Sequence, residues 1–375
     1  MSVSAARIDL DAIRGNVKAL KVRAGDAAVM AVVKADGYGH GIVQSANAAL
    51  EGGATWLGVA MADEALVLRQ AGIDAPTLAW LLGPADDWAA VASAGVDVGI
   101  NATWALEKAV DAAAISGRAT RVHLKVDTGL GRGGAQPAKW TELVAAAAKA
   151  EADATVEVVG IWSHLAYADE PRHPTIEAQR RAFNDALEVV EHAGIQPTVR
   201  HLANSAATLR LPETHYDLVR PGVAIYGLSP GPEVGEAAEL GLTPAMTLTT
   251  QVALVKRVPA GHGVSYGHQY TTARETSLAL VPLGYADGIP RHLTNLGEVA
   301  IGRRRYRVAG RVCMDQFVLD VGEDPVSAGD EVVLFGPGTS GEPTAEEWAA
   351  AIGTINYEIV TRVGARVPRV YQGTS

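Results

Sequence analysis

Between residues 29 and 226, short apolar runs alternate with alanine-rich segments. The runs are 29–33 (VMAVV), 56–60 (WLGVA), 77–82 (TLAWLL), 96–100 (VDVGI), 121–127 (RVHLKVD), 156–163 (VEVVGIWS), 199–203 (VRHLA) and 218–225 (LVRPGVAI). Segments between them, such as 62–71, 103–115 and 176–194, space their apolar residues at the helical period. Short β-rich runs alternating with helices indicate βα units and a parallel sheet. Eight such units predict a (β/α)8 barrel of the TIM type. The pattern changes after about residue 240. Segments 246–258, 277–283, 298–301, 305–309, 316–321 and 331–335 read as strands, and only 344–352 (TAEEWAAAI) reads as helix. The expected fold class is therefore α/β: a (β/α)8 barrel over residues 1–238, then a mainly β C-terminal domain over 239–375. The Pro- and Gly-bearing stretch 229–237 (SPGPEVGEA) is the expected linker.

Composition narrows the class. Of 375 residues, 48% are hydrophobic and 20% charged, ordinary for a soluble chain with a large core. A formal net charge of -10 argues against a nucleic-acid partner, which needs a basic face. Arg303, Arg304 and Arg305 form the one basic cluster and read as a solvated strand or turn. The single cysteine, Cys313, cannot form an intrachain disulfide. The N-terminus shows no basic segment followed by an apolar run, and no stretch reaches the ~20 apolar residues of a membrane span. The expectation is a soluble, cytoplasmic protein with no membrane or nucleic-acid partner.

In barrels of this kind, chemistry sits at the C-terminal ends of the strands. There the sequence places Lys34, Asp127, Arg132, His164, Asn204, Ser205, Arg220 and Gly222. Any one alone reads as a solvated or hydrogen-bonded residue; their convergence on one barrel end reads as a site. Lys34, in AVVKADGYGHG, follows an apolar strand and precedes a Gly-rich turn. Lysine is the residue type that reacts covalently with carbonyl cofactors. No Cys/His cluster has zinc-like spacing, so no metal is expected.

AVVKADGYGHG resembles the cofactor-lysine signature of the alanine racemases. The resemblance continues through HLKVDTGLGR (123–132), SHLAYAD (163–169), ANSAA (203–207), VRPGVAIYG (219–227), VSYG (264–267), LGYADG (283–288), GRVCMDQ (310–316) and INYE (355–358). It spans nearly the whole chain and keeps the family's order on both domains. It implies a barrel bearing pyridoxal 5'-phosphate (PLP) and a β domain that also pairs with the first ~10 residues.

The resemblance also implies roles. Lys34 would hold PLP covalently and act as a base on one face of the substrate. Tyr266 would be the base on the opposite face, contributed by the partner subunit of a homodimer. An unperturbed tyrosine titrates near 10, so such a base needs positive charge or donors nearby, which His164 and Arg220 could supply. Arg220 matches the residue facing the pyridine nitrogen of PLP. Arginine cannot protonate that nitrogen near neutrality, so the electron sink is weaker and transamination is limited. Arg132 fits the substrate carboxylate. Met314 matches a residue that approaches the partner's substrate through its backbone, with Asp315 beside it in support. Lys125 matches a lysine that the family often carbamylates. Tyr38, Asn204, Ser205, Gly222, Val223 and Tyr357 match cofactor contacts, mostly to the phosphate, and Tyr285 and Arg291 match gates of the substrate corridor.

The implied reaction interconverts L- and D-alanine and would supply D-alanine for peptidoglycan. A broader-specificity amino-acid racemase and a PLP-dependent decarboxylase of the same fold are the alternatives. The single cysteine and the plain N-terminus weigh against the first, and Arg220 with Tyr266 against the second. A small PLP-binding protein without catalysis would not need the C-terminal domain that carries Tyr266.

Overall fold

The apolar runs of the N-terminal half all become strands in a computed structural model, which describes residues 3–373. Strand β1 (Ala5–Asp9) precedes them. The barrel strands are β2 (Ala28–Val32), β3 (Trp56–Val59), β4 (Thr77–Ala79), β5 (Asp97–Ile100), β6 (Thr120–Lys125), β7 (Val156–Trp162), β8 (Val199–His201) and β9 (Leu218–Val219). β4 and β5 are buried at every position, and β2 at all but its first, as expected of a parallel sheet with both faces covered. The ladder runs β8-β7-β6-β5-β4-β3-β2-β9, and every pairing in it is parallel. β8 and β9 are joined by Asp217 N–H to Arg200 O (3.1 Å) and Arg220 N–H to Ala203 O (2.9 Å), which closes the barrel. β9 is only two residues long, so Arg220 follows it rather than lying within a longer strand. Pro221 has no N–H with which to extend a ladder.

Ile13–Gly37 and Ile42–Leu242 form this barrel unit. The residues through Ala12, Tyr38–Gly41 and the residues from Thr243 onward form a second unit, built on a six-stranded and a three-stranded sheet with a small hairpin. In that unit β1 lies between Met246–Gln251, antiparallel, and Arg369–Gln372, parallel. The expected single strand over 246–258 divides into Met246–Gln251 and Leu254–Val258, which belong to different sheets. A second helix, Asn356–Thr361, follows Ala345–Ile352, where only one was expected. Its NYEIVT sequence is β-rich by propensity, but burial of Ile359 and Val360 decides the conformation.

Candidate active site

Lys34 follows β2 at the mouth of a left-handed turn. Ala35, Asp36, Gly37 and Tyr38 all have positive φ (53°, 52°, 62° and 52°), so four successive residues wind against the chain's preferred hand. Two carboxylates hold the turn. Glu64, in the first turn of the helix Ala62–Gln70, accepts Ala35 N–H at 2.6 Å, Ala60 N–H at 2.9 Å and Met61 N–H at 3.0 Å. Asp36 accepts Ile42 N–H at 2.9 Å. The Lys34 amine lies 5.8 Å from the centre of the Trp80 ring. Burial, then the neighbouring Arg132 charge, hold its pKa below the ordinary lysine value against the opposing pull of Glu64.

Trp162, the last residue of β7, forms a floor for three charged or polar groups. Lys125 Nζ stands 4.3 Å and the Arg220 guanidinium 5.0 Å from its ring centre, and His201 stacks on it at 5.6 Å with a 4° interplanar angle. Lys125 is pushed down to about 8, first by burial and then by Arg220 and Arg132. Arg220 is 5% exposed. It donates to Ser163 O (2.8 Å), Leu202 O (3.2 Å), His201 Nδ1 (3.1 Å) and His164 Nδ1 (3.3 Å). Burial pulls it down to about 9, so it keeps its proton at neutral pH. His164 is held well below the usual imidazole range by burial and then by the cations Arg220, Arg132, Lys125 and Lys34, and is neutral. Asp127 accepts Gly129 N–H (3.0 Å) and Gly131 N–H (3.2 Å), shaping the loop that presents the exposed Arg132.

Ser205 Oγ accepts Gly222 N–H at 2.8 Å and Ala224 N–H at 3.4 Å, next to the single turn Val223–Tyr226. Asn204 caps the helix Ser205–Arg210 through Ala207 N–H at 3.1 Å. The barrel unit thus gathers Lys34, Lys125, Arg132, His164 and Arg220 about aromatic walls, and separately joins Ser205 to the Gly222–Val223 turn.

The second unit gathers the others. Tyr266, 72% exposed, shares one open cavity with Tyr285 and Met314. The loops carrying the last two are zipped together by Tyr285 N–H to Cys313 O (3.0 Å) and Ala286 N–H to Met314 O (2.9 Å). Gly284 is required there, because a Cβ would collide with the carbonyl oxygens of Cys313 and Met314. Arg366 pairs with buried Asp287 (3.1 Å) and with exposed Asp315 (2.7 Å). Arg291 is exposed at the start of the turn Arg291–Leu293, and the Tyr38 and Tyr357 rings lie 6.2 Å apart.

Residues 8–230 match the family model for the alanine racemase N-terminal domain, and residues 245–371 the model for the C-terminal domain. The chain belongs to the alanine racemase family. It is 65% identical to an alanine racemase of Frankia casuarinae over 98% of this chain and 96% of that one. It is 58% identical to one of Thermobifida fusca over 99% of each. The crystal structure of alanine racemase from D-cycloserine-producing Streptomyces lavendulae superposes with a TM-score of 0.99 at 57% identity, covering 100% of this chain and 98% of that one. Alanine racemase from Bacillus anthracis with bound L-Ala-P gives 0.89 at 38% identity, covering 100% and 96%. The fold class and family read from the sequence are both borne out.

The donor set fits the family's cofactor. Three cations meet aromatic rings, Lys34 the half-buried Trp80 and Lys125 and Arg220 the buried Trp162, and Arg132 adds a fourth charge to Lys34 and Lys125. Such a set suits a planar, anionic ring, and Trp162 Nε1 is buried there without a hydrogen-bond partner. Sequence reading missed Glu64, Trp80 and Trp162, and a buried line of Asp97, His123 and His201 described below. The polar residues inside the runs VDVGI, RVHLKVD and VRHLA were the available signal for that line. Glu64 gave none, being 29 positions from the turn it holds. Among the described residues, no cluster of side chains could hold a metal ion, and no helix is long and apolar enough to cross a membrane.

Proposed function

We propose that the chain interconverts L- and D-alanine with pyridoxal phosphate, using Lys34 and Tyr266 as bases on opposite faces of the substrate, in a homodimer that shares its sites. The carrying observation is the Lys34 amine at the end of β2, 5.8 Å from the Trp80 ring and held below the ordinary lysine pKa by burial and by Arg132. When bound, PLP supplies an electron-accepting ring that loosens the proton on the substrate's α-carbon. Lys34 would carry it.

At neutral pH more of the Lys34 amine is unprotonated than in an exposed lysine, so it can take the α-proton on its own face. Arg132 presents a planar fork suited to the substrate carboxylate. Arg220 would face the ring nitrogen. Its bonds to carbonyl and imidazole acceptors fix the guanidinium, and it has no carboxylate partner that could relay a proton directly. That arrangement favours returning the proton to the α-carbon over decarboxylation or transamination. The hydroxyl of Ser205, the Gly222 and Val223 turn, Asn204 and the tyrosines Tyr38 and Tyr357 would hold the phosphate end.

Tyr266 is the base for the other face. Its exposure beside Tyr285 and Met314 supports the reading that it serves a partner subunit. Asp315 supports that loop through Arg366, and Arg291 would line the approach. D-alanine made this way would feed peptidoglycan synthesis in the cytoplasm.

The test is D-alanine formation from L-alanine by the purified, PLP-loaded protein, with L-serine and L-lysine alongside. Rapid turnover of alanine alone is expected. Lys34→Ala should lose both the yellow cofactor absorbance and the turnover. Release of CO2, or turnover only of a larger amino acid, overturns the assigned reaction or substrate.

A further inference from the structure

A line of buried polar side chains crosses the barrel interior. Asp97 opens β5, His123 lies in β6, His201 ends β8, and Arg220 follows β9. Asp97 Oδ2 is 3.1 Å from His123 Nε2, His123 Nδ1 is 2.9 Å from His201 Nε2, and His201 Nδ1 is 3.1 Å from Arg220 Nη1. All four residues are at most 5% exposed. The backbone makes room for the line. The β6–β7 register shifts between Val122 and His123, and Gly160 faces the bulge with no side chain. A Cβ on Gly160 would collide with the His123 ring, 2.2 Å from Nδ1. Trp56 meets His123 edge-on, Trp162 stacks on His201, and both flank the line with apolar surface.

The hydrogen-bonding capacities at the two ends fix every proton between them. An ionised carboxylate only accepts, so His123 Nε2 carries a proton toward Asp97. A neutral imidazole has one donor and one acceptor, so His123 Nδ1 accepts from His201 Nε2–H. His201 Nδ1 is then an acceptor, as it must be, because guanidinium only donates. The three donors all point from Arg220 toward Asp97. A proton added to either ring would set a donor against a donor. Burial, and then the Arg220 charge, hold His201 well below the usual imidazole range. Burial alone would raise Asp97, but the His123 hydrogen bond and Arg121, at 2.7 Å, outweigh it and keep the carboxylate ionised.

We propose that Asp97 is the remote counter-ion of Arg220, and that the one-way donor line through His201 and His123 positions Arg220 toward the cofactor ring nitrogen. This rests on the reading that Arg220 faces that nitrogen. The charges that share the surroundings of His164 with Arg220 are cations, Lys34, Lys125 and Arg132, with Asp127 beside Lys125. The balancing anion therefore acts through the line. Asp97, His123 and His201 are positioning residues and touch no substrate.

Asp97→Asn is the decisive variant. Its amide can donate to His123 Nε2, which reverses both tautomers and turns His201 Nδ1–H against the Arg220 donor. Two readouts separate the parts. In protein labelled with 15N-histidine, solid-state NMR should find both buried rings protonated at Nε2, and in Asp97→Asn at Nδ1. In the PLP-loaded enzyme with L-alanine, pyruvate released per racemisation should rise about tenfold in Asp97→Asn, the size of one charge-assisted hydrogen bond lost. His201→Phe keeps the stack on Trp162 but cuts the line, and should raise the pyruvate share similarly. Arg121→Lys keeps a cation beside Asp97 but loses the guanidinium fork outside the line; it should lower thermal stability while leaving both readouts unchanged.

Wild-type rings protonated at Nδ1, or an unchanged pyruvate share in Asp97→Asn and His201→Phe, overturns the proposal. An Arg121→Lys chain that shifts the pyruvate share as much as Asp97→Asn also overturns it, because general loosening then explains the effect. If Arg220→Lys alters neither cofactor absorbance nor pyruvate share, the placement of Arg220 itself is what fails.

Discussion

Removing the Glu64 carboxylate tests whether the left-handed turn is held for function. Ala35, Asp36 and Tyr38 are non-glycine residues with φ near 52°. Each costs about 1–2 kcal/mol, so the turn stores about 3–6 kcal/mol. Glu64 holds it through Ala35 N–H at 2.6 Å, while its other oxygen is anchored by Ala60 and Met61 N–H. Hydrogen bonds to a charged group contribute about 1.5–3 kcal/mol each. Ala35 and Met61 are exposed, so water replaces part of the loss, and the net release in Glu64→Ala is about 1–2 kcal/mol. That corresponds to a fall of about 5–30-fold in the population of the working turn, and in kcat/KM with it. Because the change is local, the unfolding midpoint should move by only a few degrees. Adding Ala35→Gly to the same chain removes the strain at one position and should recover up to tenfold. Glu64 also pulls the Lys34 pKa upward, so rates must be compared on the pH plateau, with Glu64→Gln as the control for charge. The assay is racemisation at saturating PLP beside thermal melting by circular dichroism. Activity within twofold of the parent in Glu64→Ala, or no gain from Ala35→Gly, refutes the reasoning.

Mixing Lys34→Ala and Tyr266→Ala chains, each inactive, should restore part of the racemase activity once subunits exchange; no recovery after proven exchange means that each site is built within one chain. His201 has a folded pKa well below 6.5, so its contribution to stability is full above about pH 6.5 and is lost as pH falls toward the folded value, at up to ~1.4 kcal/mol per pH unit. Urea midpoints between pH 7 and 5 check this, and His201→Phe should flatten that limb. Gly284→Ala should push the Cys313–Met314 carbonyls aside and abolish most activity, while leaving cofactor absorbance intact because Lys34 lies in the other unit; an active Gly284→Ala chain refutes the need for the Tyr285–Met314 zipper.

The barrel was legible because each strand is a run of buried apolar residues, which periodicity reports directly. The C-terminal unit was less so. NYEIVT reads as strand by propensity but packs as helix, and 246–258 hides a change of sheet at Val252 and Ala253. The residues that the family motifs singled out at the barrel mouth do meet there, with Lys34, Lys125, Arg132, His164 and Arg220 within one electrostatic neighbourhood. What holds them is written elsewhere in the chain. A left-handed turn through Ala35, Asp36 and Tyr38 contradicts local propensity and depends on a carboxylate from a later helix. The Asp97–His123–His201 line bonds side chains up to 78 positions apart, as between His123 and His201, through a bulge and a glycine that carry no one-dimensional signature.

The placement of β1 between two much later strands has a consequence for synthesis. β1 leaves the ribosome long before its antiparallel partner, which begins at Met246, about 240 residues later, a delay of roughly 12–50 s at typical elongation rates. Its parallel partner, Arg369–Gln372, comes later still. Throughout that interval a two-edged strand, with Ala6 and Ile8 destined for burial, waits uncovered while the barrel sequence is translated and closes. The nascent chain therefore carries an adhesive segment throughout that interval, and a chaperone that covers it during translation should matter more for yield than one acting on the finished barrel.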